Sequence, residues 1–320
     1  MMPVKAERAA VLIDSQMSRM MPLLPLAGLV IGFFLPDVFI HLRPWTPWFL
    51  SMITFSGVLK LRVTELGGVL RKPIPIFCFF ILSRILTPLY VLFFSSIFFA
   101  GNSETIAGFI LLYSAPAAAS GFIWITTFRG NMALGLSLIL FDTLLSPIFM
   151  PLSISVLAGS KVTMDPGSIM ISLIFTVVIP TILGIMLNET SRGKIPALIS
   201  PYFNPLSKFS LMLIIAANAS STLPAIQFND QKIWKIAGLC ITLTILTMLT
   251  ARLAGFITRC DYEKSVALVF TIGQRNTSAA IIIATSFFPE AFALPALINI
   301  LFQQIISGIM GNLLFRKNLE

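Results

Sequence analysis

The 320-residue sequence has few charged residues and few of the side chains on which enzymes depend. Asp, Glu, Lys and Arg make up 11% of it, and histidine occurs once. Its three cysteines, Cys78, Cys240 and Cys260, are odd in number and do not have metal-ligand spacing, so they predict neither a disulfide framework nor a metal site. No serine or cysteine nucleophile stands beside a base, and paired carboxylates and phosphate-binding loops are absent. These absences argue against an enzyme and predict no cofactor.

Apolar residues dominate what is present. They make up 57% of the chain, and the mean hydropathy is +0.93. Soluble domains do not reach such values, and the apolar runs are continuous rather than alternating as in a β-barrel. We therefore predict an all-α polytopic protein of the lipid bilayer with about ten crossings. They lie near 21–40, 46–60, 73–99, 104–128, 131–158, 166–188, 206–223, 232–257, 262–287 and 290–315.

Lysine and arginine are distributed unevenly between the predicted loops. With the N-terminus inside, sixteen of the 22 lie on the cytoplasmic side and four on the outer side. Because this bias follows the positive-inside rule, the net charge of +9 needs no nucleic-acid partner, and both termini are expected in the cytoplasm. Residues 1–20 are interpreted as a cytoplasmic lead-in rather than a signal peptide. The inner membrane of a bacterium is the expected location.

Two of the predicted crossings are interrupted. The fourth contains Ser114-Ala-Pro-Ala-Ala-Ala-Ser-Gly121, in which Pro116 lacks a backbone donor and Gly121 readily adopts a left-handed conformation. The ninth contains Thr271-Ile-Gly-Gln-Arg-Asn-Thr-Ser278, whose polar groups find no partners in hydrocarbon. The segments 21–158 and 166–315 each hold five crossings, as two inverted repeats would, and interruptions in corresponding places indicate a midplane site of a secondary transporter. Simple kinks in ordinary membrane helices are the alternative.

Three ionisable residues, Arg84, Asp142 and Arg275, lie deep in predicted crossings. Such residues are functional candidates, and the surplus of positive charge favours a small or amphipathic organic anion. Asp142 and Arg84 are predicted to couple transport, Asp142 as a proton-linked switch. A structural ion pair between Asp142 and either arginine is the alternative. The predicted substrate-binding residues are Arg275, Asn276, Gln274, Thr271, Ser120, Gly121 and Ser114.

Four segments distributed along the chain form a recognisable series: Ser56 to Pro73, Pro116 to Leu134, Thr143 to Pro147 and Gly273 to Asn276. In order and spacing they resemble the bile acid:sodium symporter family. The resemblance covers essentially the whole chain. It implies panel and core domains, a fourth and a ninth helix that are unwound and cross in the core, and alternating access. Arsenite and auxin-efflux-type carriers share this architecture, so fold alone does not define the cargo, but no cysteine offers arsenite a thiolate at the fourth-helix break.

The residues with which that family binds two sodium ions differ here. Hydroxyl, amide and carboxylate ligands are aligned with Ser83, Gly121, Phe122, Gly135, Ile139, Thr271 and Arg275, whereas Asn276 matches a family position at the substrate cavity. We therefore predict transport without sodium, with the Arg275 guanidinium as a fixed cation in place of the ion. A sodium-coupled anion symporter and, in another class, a transporter-like sensor are the alternatives. The sequence leaves the solute and the oligomeric state open.

Overall fold

The structure is a computed structural model that describes residues 12–14, 16–17, 23–59, 73–159, 165–222 and 230–315. Most of the predicted lead-in, the basic residues of 60–72 and the C-terminal residues 316–320 lie outside these ranges. A short helix, Pro36–Phe39, and a 3-10 helix, Ile40–Trp45, join α1 to α2. The principal helices are α1 (Leu24–Phe34), α2 (Thr46–Val58), α3 (Pro73–Phe98), α4 (Ser103–Ser114), α5 (Gly121–Thr127), α6 (Met132–Ala158), α7 (Pro166–Ser191), α8 (Lys194–Thr222), α9 (Gln231–Ile257), α10 (Tyr262–Gly273), α11 (Thr277–Phe287) and α12 (Leu294–Phe315).

The length and apolar character of these helices confirm a polytopic membrane protein. Among the described residues, six helices are long and apolar enough to cross a bilayer, namely α3, α6, α7, α8, α9 and the helix that contains α12. The first two predicted crossings form a pair of helices bent by 105°, which makes a seventh span if counted as one. The fourth and ninth predicted crossings are each divided into shorter helices, so the structure does not establish ten full spans.

Helix α8 begins earlier than the sequence predicts. The seventh crossing is predicted at 206–223, directly after Pro205; a proline inside a helix ordinarily removes a hydrogen bond and clashes with the preceding turn. The structure instead starts the helix at Lys194 and carries both Pro201 and Pro205 within it. Membrane helices tolerate such prolines where neighbouring groups satisfy the freed carbonyls, so the local rule does not define this boundary.

The chain divides into two compact units, each discontinuous in sequence. Unit 1 comprises Met1–Val63 and Ser172–Ile226, and unit 2 comprises Thr64–Ile171 and Gln227–Glu320. Each unit therefore takes residues from both predicted halves, 21–158 and 166–315. The inverted-repeat relationship between these halves stays a prediction.

Glycines allow close helix packing in unit 1. A Cβ atom on Gly28 of α1 would lie 2.7 Å from the backbone oxygen of Met212, and one on Gly32 would lie 2.4 Å from that of Ala216. Both partners belong to α8. Small residues four positions apart allow the backbones of two membrane helices to come into contact. Close contact favours association because van der Waals packing, and not the exclusion of water, drives it within lipid.

Aromatic rings fill the centre of unit 2. Phe270 of α10 stacks on Phe128, which follows α5, with 5.4 Å between ring centroids, and on Trp124 of α5 at 6.1 Å. Gly311 of α12 leaves space for the Phe128 ring, since a Cβ there would approach it to 2.3 Å. This packing holds α12 against α5 and α10, which are halves of the two interrupted crossings.

Candidate functional site at two broken helices

Both predicted helix interruptions are present in unit 2. Helix α4 ends at Ser114 and α5 begins at Gly121, while α10 ends at Gly273 and α11 begins at Thr277. The intervening residues, 115–120 and 274–276, are here called joint 1 and joint 2. The sequence therefore located both breaks correctly.

The two joints lie side by side and pair through their backbones. Ala117 and Arg275 form an antiparallel β-bridge. The amide of Ala118 donates to the Gln274 carbonyl at 2.9 Å, and the amide of Asn276 donates to the Pro116 carbonyl at 2.8 Å. Backbone groups that leave a helix at membrane depth need partners within the protein, and here each joint supplies them to the other.

Gly121 contributes to this pairing in a way that the sequence did not predict. The expected left-handed conformation is wrong, because the described glycines with positive φ are Gly101, Gly159 and Gly193. Gly121 instead permits close approach, since a Cβ there would lie 2.9 Å from the Phe270 carbonyl oxygen. The break follows from the pairing of the joints rather than from a special dihedral angle at this glycine.

Asp142 on α6 is fully buried and anchors joint 1. Its Oδ2 accepts the backbone amide of Ala117 at 2.7 Å, and its Oδ1 accepts Nε of Arg84 at 2.8 Å together with Nη2 of the same guanidinium. The remaining nitrogen of Arg84, Nη1, donates to the Ser114 carbonyl at 2.6 Å. That carbonyl ends α4, so Arg84 satisfies one of the acceptors that every helix C-terminus leaves open. Of the two ion pairs that the sequence left open, Asp142 with Arg84 is thus the hydrogen-bonded one.

Arg275 in joint 2 is buried but only partly partnered. Its side chain is 1% exposed. Its Nη1 lies 3.5 Å from the Ala115 carbonyl and 3.9 Å from Oδ2 of Asp142, whereas Nε and Nη2 have no hydrogen-bond partner. Buried charges are ordinarily paired and hydrogen-bonded, so two guanidinium nitrogens without an acceptor require an explanation.

The electrostatic balance at the joints is positive. Among the described residues, the buried ionisable side chains of the Asp, Glu, Lys and Arg types are Arg84, Asp142 and Arg275. One carboxylate therefore faces two guanidinium groups. The buried hydroxyls of Ser83 and Ser114 also lack partners. Ser83 precedes Arg84, and Ser114 supplies the carbonyl that Arg84 binds.

The predicted site residues Gln274 and Ser120 meet in an amide network. The Ser120 hydroxyl donates to Oε1 of Gln274 at 3.1 Å, and Nε2 of Gln274 donates to the Ser307 hydroxyl. Gln304 of α12 donates to Ser120 at 3.2 Å and to Gln274 at 3.1 Å. The network ties both joints to α12.

Gln303 was missed by the sequence interpretation. Its Oε1 accepts the backbone amide of Arg275 at 3.2 Å, and its Nε2 donates to the Arg275 carbonyl at 3.0 Å, so one side chain holds both backbone groups of that residue. Asn299 donates to Gln303 at 3.1 Å. Asn299, Gln303 and Ser307 are spaced by four residues in an apolar segment, and that spacing on one helical face was the available signal.

The other predicted site residues have different surroundings. Asn276 is half-buried and caps α11 through its Oδ1, which accepts from the Ala279 amide at 3.1 Å and leaves the NH₂ group outside the cap. Thr271 is buried, but its hydroxyl donates to Ala267 within its own helix. The structure thus places Asn276 at the joint and does not bring the Thr271 hydroxyl into the network.

Apolar packing occupies two of the positions aligned with sodium-binding hydroxyls. A Cβ on Gly135 of α6 would lie 2.4 Å from Cδ1 of Ile125, and Ile139 belongs to the same apolar core. Neither side chain offers the hard oxygen ligands that a sodium ion requires.

Comparison with known proteins places this geometry in context. Residues 47–227 match the sequence model of the Sodium Bile acid symporter family. The chain is 36% identical to the uncharacterized protein YbaS of Bacillus subtilis, over 94% of this chain and 98% of that protein. It is 24% identical to the uncharacterized sodium-dependent transporter YocS of B. subtilis, over 90% and 88% of the two chains. It is 23% identical to the probable sodium/metabolite cotransporter BASS1 of Arabidopsis thaliana chloroplasts, over 89% and 71%.

Proposed function

Because the chain belongs to the Sodium Bile acid symporter family, we propose that it is a secondary transporter that moves a small or amphipathic organic anion by alternating access. Membership of a transporter family implies a small-molecule substrate and a membrane setting rather than enzyme chemistry. The proposal adds the charge of the substrate, the residues that bind it and the coupling. It also places the protein in the inner membrane of a bacterium, with both termini in the cytoplasm.

The observation that carries the proposal is the partly unpartnered guanidinium of Arg275. Leaving a buried donor without an acceptor costs about 1–3 kcal/mol, and more for a charged group. Nε and Nη2 lie on the same edge of the planar guanidinium, so together they match the two oxygens of a carboxylate. An anion that binds there would satisfy both donors and neutralise the surplus positive charge.

The surroundings of Arg275 supply further groups for the substrate. The NH₂ group of Asn276 is free of the helix cap, and Gln274 and Ser120 lie in the adjoining amide network. Unit 2 contains both broken helices and is proposed as the core domain, with unit 1 as the panel domain. These groups would replace part of the hydration that the anion loses at membrane depth.

Coupling is proposed to use protons rather than sodium. Arg275 provides a fixed positive charge where the family resemblance expects a sodium ligand, and the side chains of Gly135 and Ile139 offer no oxygen atom. Asp142 lies 3.9 Å from Arg275. In one state of the proposed cycle the anion binds Arg275. In the other state the anion has left and Asp142 pairs with Arg275; when this ion pair separates again, Asp142 exchanges a proton.

Ligand-dependent thermal stability of the purified protein tests the anion site. Acetate, pyruvate, benzoate and cholate offer one carboxylate on apolar bodies of increasing size, and acetamide and benzamide are the neutral controls. A ligand that binds the folded state raises the melting temperature with concentration. We expect stabilisation by at least one carboxylate, its loss in Arg275→Gln, and weaker binding in Arg275→Lys, which keeps the charge but not the planar edge.

Reconstituted liposomes test the coupling. Asp142→Asn is expected to bind the stabilising carboxylate as the unmodified protein does, but to lose the dependence of uptake on a pH gradient. Normal binding and uptake by Arg275→Gln would contradict the anion site itself. Full pH-dependent uptake by Asp142→Asn would remove only the proton role.

A further inference from the structure

We propose that Arg84 is a positioning residue of the anion site: it holds Asp142 and thereby keeps the guanidinium of Arg275 open to substrate. The inference rests on the proposed anion-binding role of Arg275. In this role Arg84 does not contact the substrate, because it acts through Asp142.

The two oxygens of the Asp142 carboxylate accept hydrogen bonds from different groups. Oδ1 receives two N–H groups from Arg84, and Oδ2 receives the backbone amide of Ala117 at 2.7 Å. Arg275 Nη1 stands at 3.9 Å from Oδ2, which is within ion-pair range but beyond a hydrogen bond. Both carboxylate oxygens thus accept hydrogen bonds from groups other than Arg275, and Nε and Nη2 of Arg275 have no hydrogen-bond partner.

Arg84 is itself fixed by groups other than Asp142. Its Nη1 binds the carbonyl of Ser114, and its guanidinium lies over the ring of Phe149 at 5.4 Å. It lies in a π-helical stretch of α3, Ile81–Leu86, where the widened turn changes the direction in which side chains leave the helix. Arg84 is therefore held where it binds Asp142 and cannot easily follow a carboxylate that moves toward Arg275.

Removing Arg84 would redirect the carboxylate. Oδ1 would lose both of its side-chain donors in a place that water does not reach, and a buried carboxylate without partners is costly. The described cation nearest to Asp142 would then be Arg275, which has two donors to spare. An Asp142–Arg275 pair, closed through Nη1, would neutralise the positive charge that attracts the substrate and would hold the guanidinium against Asp142, so the protein would inhibit its own anion site.

The first test measures carboxylate binding by thermal stabilisation with benzoate and cholate. We expect Arg84→Gln to weaken binding by roughly 5- to 150-fold, the usual range of coupling between two sites. Arg84→Gln combined with Asp142→Asn should recover binding, because no carboxylate then competes for Arg275. The matched control is Arg252→Gln, which removes a half-buried guanidinium of unit 2 that binds Ser265 and faces Phe315.

The outcomes separate the inference from the proposed function. Undiminished binding in Arg84→Gln, or binding that Asp142→Asn fails to recover while both variants stay folded, would overturn the positioning role. If Arg275→Gln binds these carboxylates normally, the proposed anion site fails first.

The second test needs no ligand. If both guanidinium groups can stabilise the Asp142 carboxylate, either one partly compensates for the loss of the other. The melting temperature of Arg84→Gln/Arg275→Gln should therefore fall by more than the sum of the decreases in the two single variants. In an Asp142→Asn background the two losses should add. Additive losses with Asp142 intact would show that the arginines do not compete for it, and would overturn the inference even if no carboxylate bound.

Discussion

At the scale of single residues, isolation in an apolar segment identified the charged groups but not their partners. Arg84, Asp142 and Arg275 were singled out because membrane helices rarely carry such residues without purpose. Which arginine binds Asp142 depends on contacts between residues 58 or more positions apart and on the π-helical turn around Arg84. Neither feature has a signature in the local sequence.

Gln303 gives a residue-scale prediction because it holds the backbone of the substrate-binding joint. Gln303→Leu keeps the approximate volume and removes the groups that satisfy the amide and the carbonyl of Arg275. Unsatisfied buried groups cost about 1–3 kcal/mol each. We expect a lower melting temperature and weaker carboxylate stabilisation, both measured by thermal unfolding with and without benzoate.

Asn312 is the matched control for Gln303. It lies on the same helix, is exposed, and donates to the carbonyl of Gly308 within that helix. Asn312→Leu should change neither the melting temperature nor the response to benzoate by much. A Gln303→Leu protein that behaves like Asn312→Leu would show that the joint holds its shape without this amide.

At the scale of helices, the two breaks were predictable because proline, glycine and polar residues interrupt apolar segments. Their mutual hydrogen bonds explain why both breaks persist, since each joint supplies what the other lacks. The contribution of α12 was harder to predict from the sequence. The side-chain amides of Asn299 and Gln303 have helical spacing, but that spacing is equally compatible with hydrogen bonds between these two side chains alone.

Gly121 gives an element-scale prediction because it is the point at which α5 approaches α10. Any side chain there meets the Phe270 carbonyl oxygen, so Gly121→Trp should separate the joints and abolish uptake in liposomes. Gly238→Trp is the matched control, since a Cβ on this α9 glycine meets nothing within 4 Å. Equal uptake by the two variants, at equal amounts of folded protein, would show that close approach at Gly121 is dispensable.

At the scale of the whole molecule, the sequence predicted the class of protein and the family, but not how the chain is divided. Apolar runs reveal membrane helices one at a time, because each run is a local pattern. The two units are each assembled from distant parts of the chain, and no local pattern indicates that Ser172–Ile226 groups with Met1–Val63. The family resemblance implied panel and core domains but gave no boundaries for them.

Independence from sodium is the prediction that concerns the whole transport cycle. A sodium ion needs several hard oxygen ligands. Of the side chains aligned with the family's ligands, Ser83 and Thr271 alone carry an oxygen atom, and the Thr271 hydroxyl is bonded to Ala267 within its own helix. The backbone is the remaining source, but five carbonyls at the joints already accept hydrogen bonds from N–H groups of the protein. They are Ser114, Ala115, Pro116, Gln274 and Arg275, whose donors are Arg84, Arg275, Asn276, Ala118 and Gln303, respectively.

Uptake of the stabilising carboxylate into liposomes should therefore be nearly equal in sodium chloride, potassium chloride and choline chloride at a fixed pH gradient. Asp142→Asn provides the internal comparison, since it should lose the response to the pH gradient and still show no preference between these salts. A saturable stimulation of several-fold by sodium over potassium would contradict the prediction. It would mean that the joint carbonyls exchange their present donors for an ion during the cycle, and that Arg275 accompanies sodium rather than replacing it.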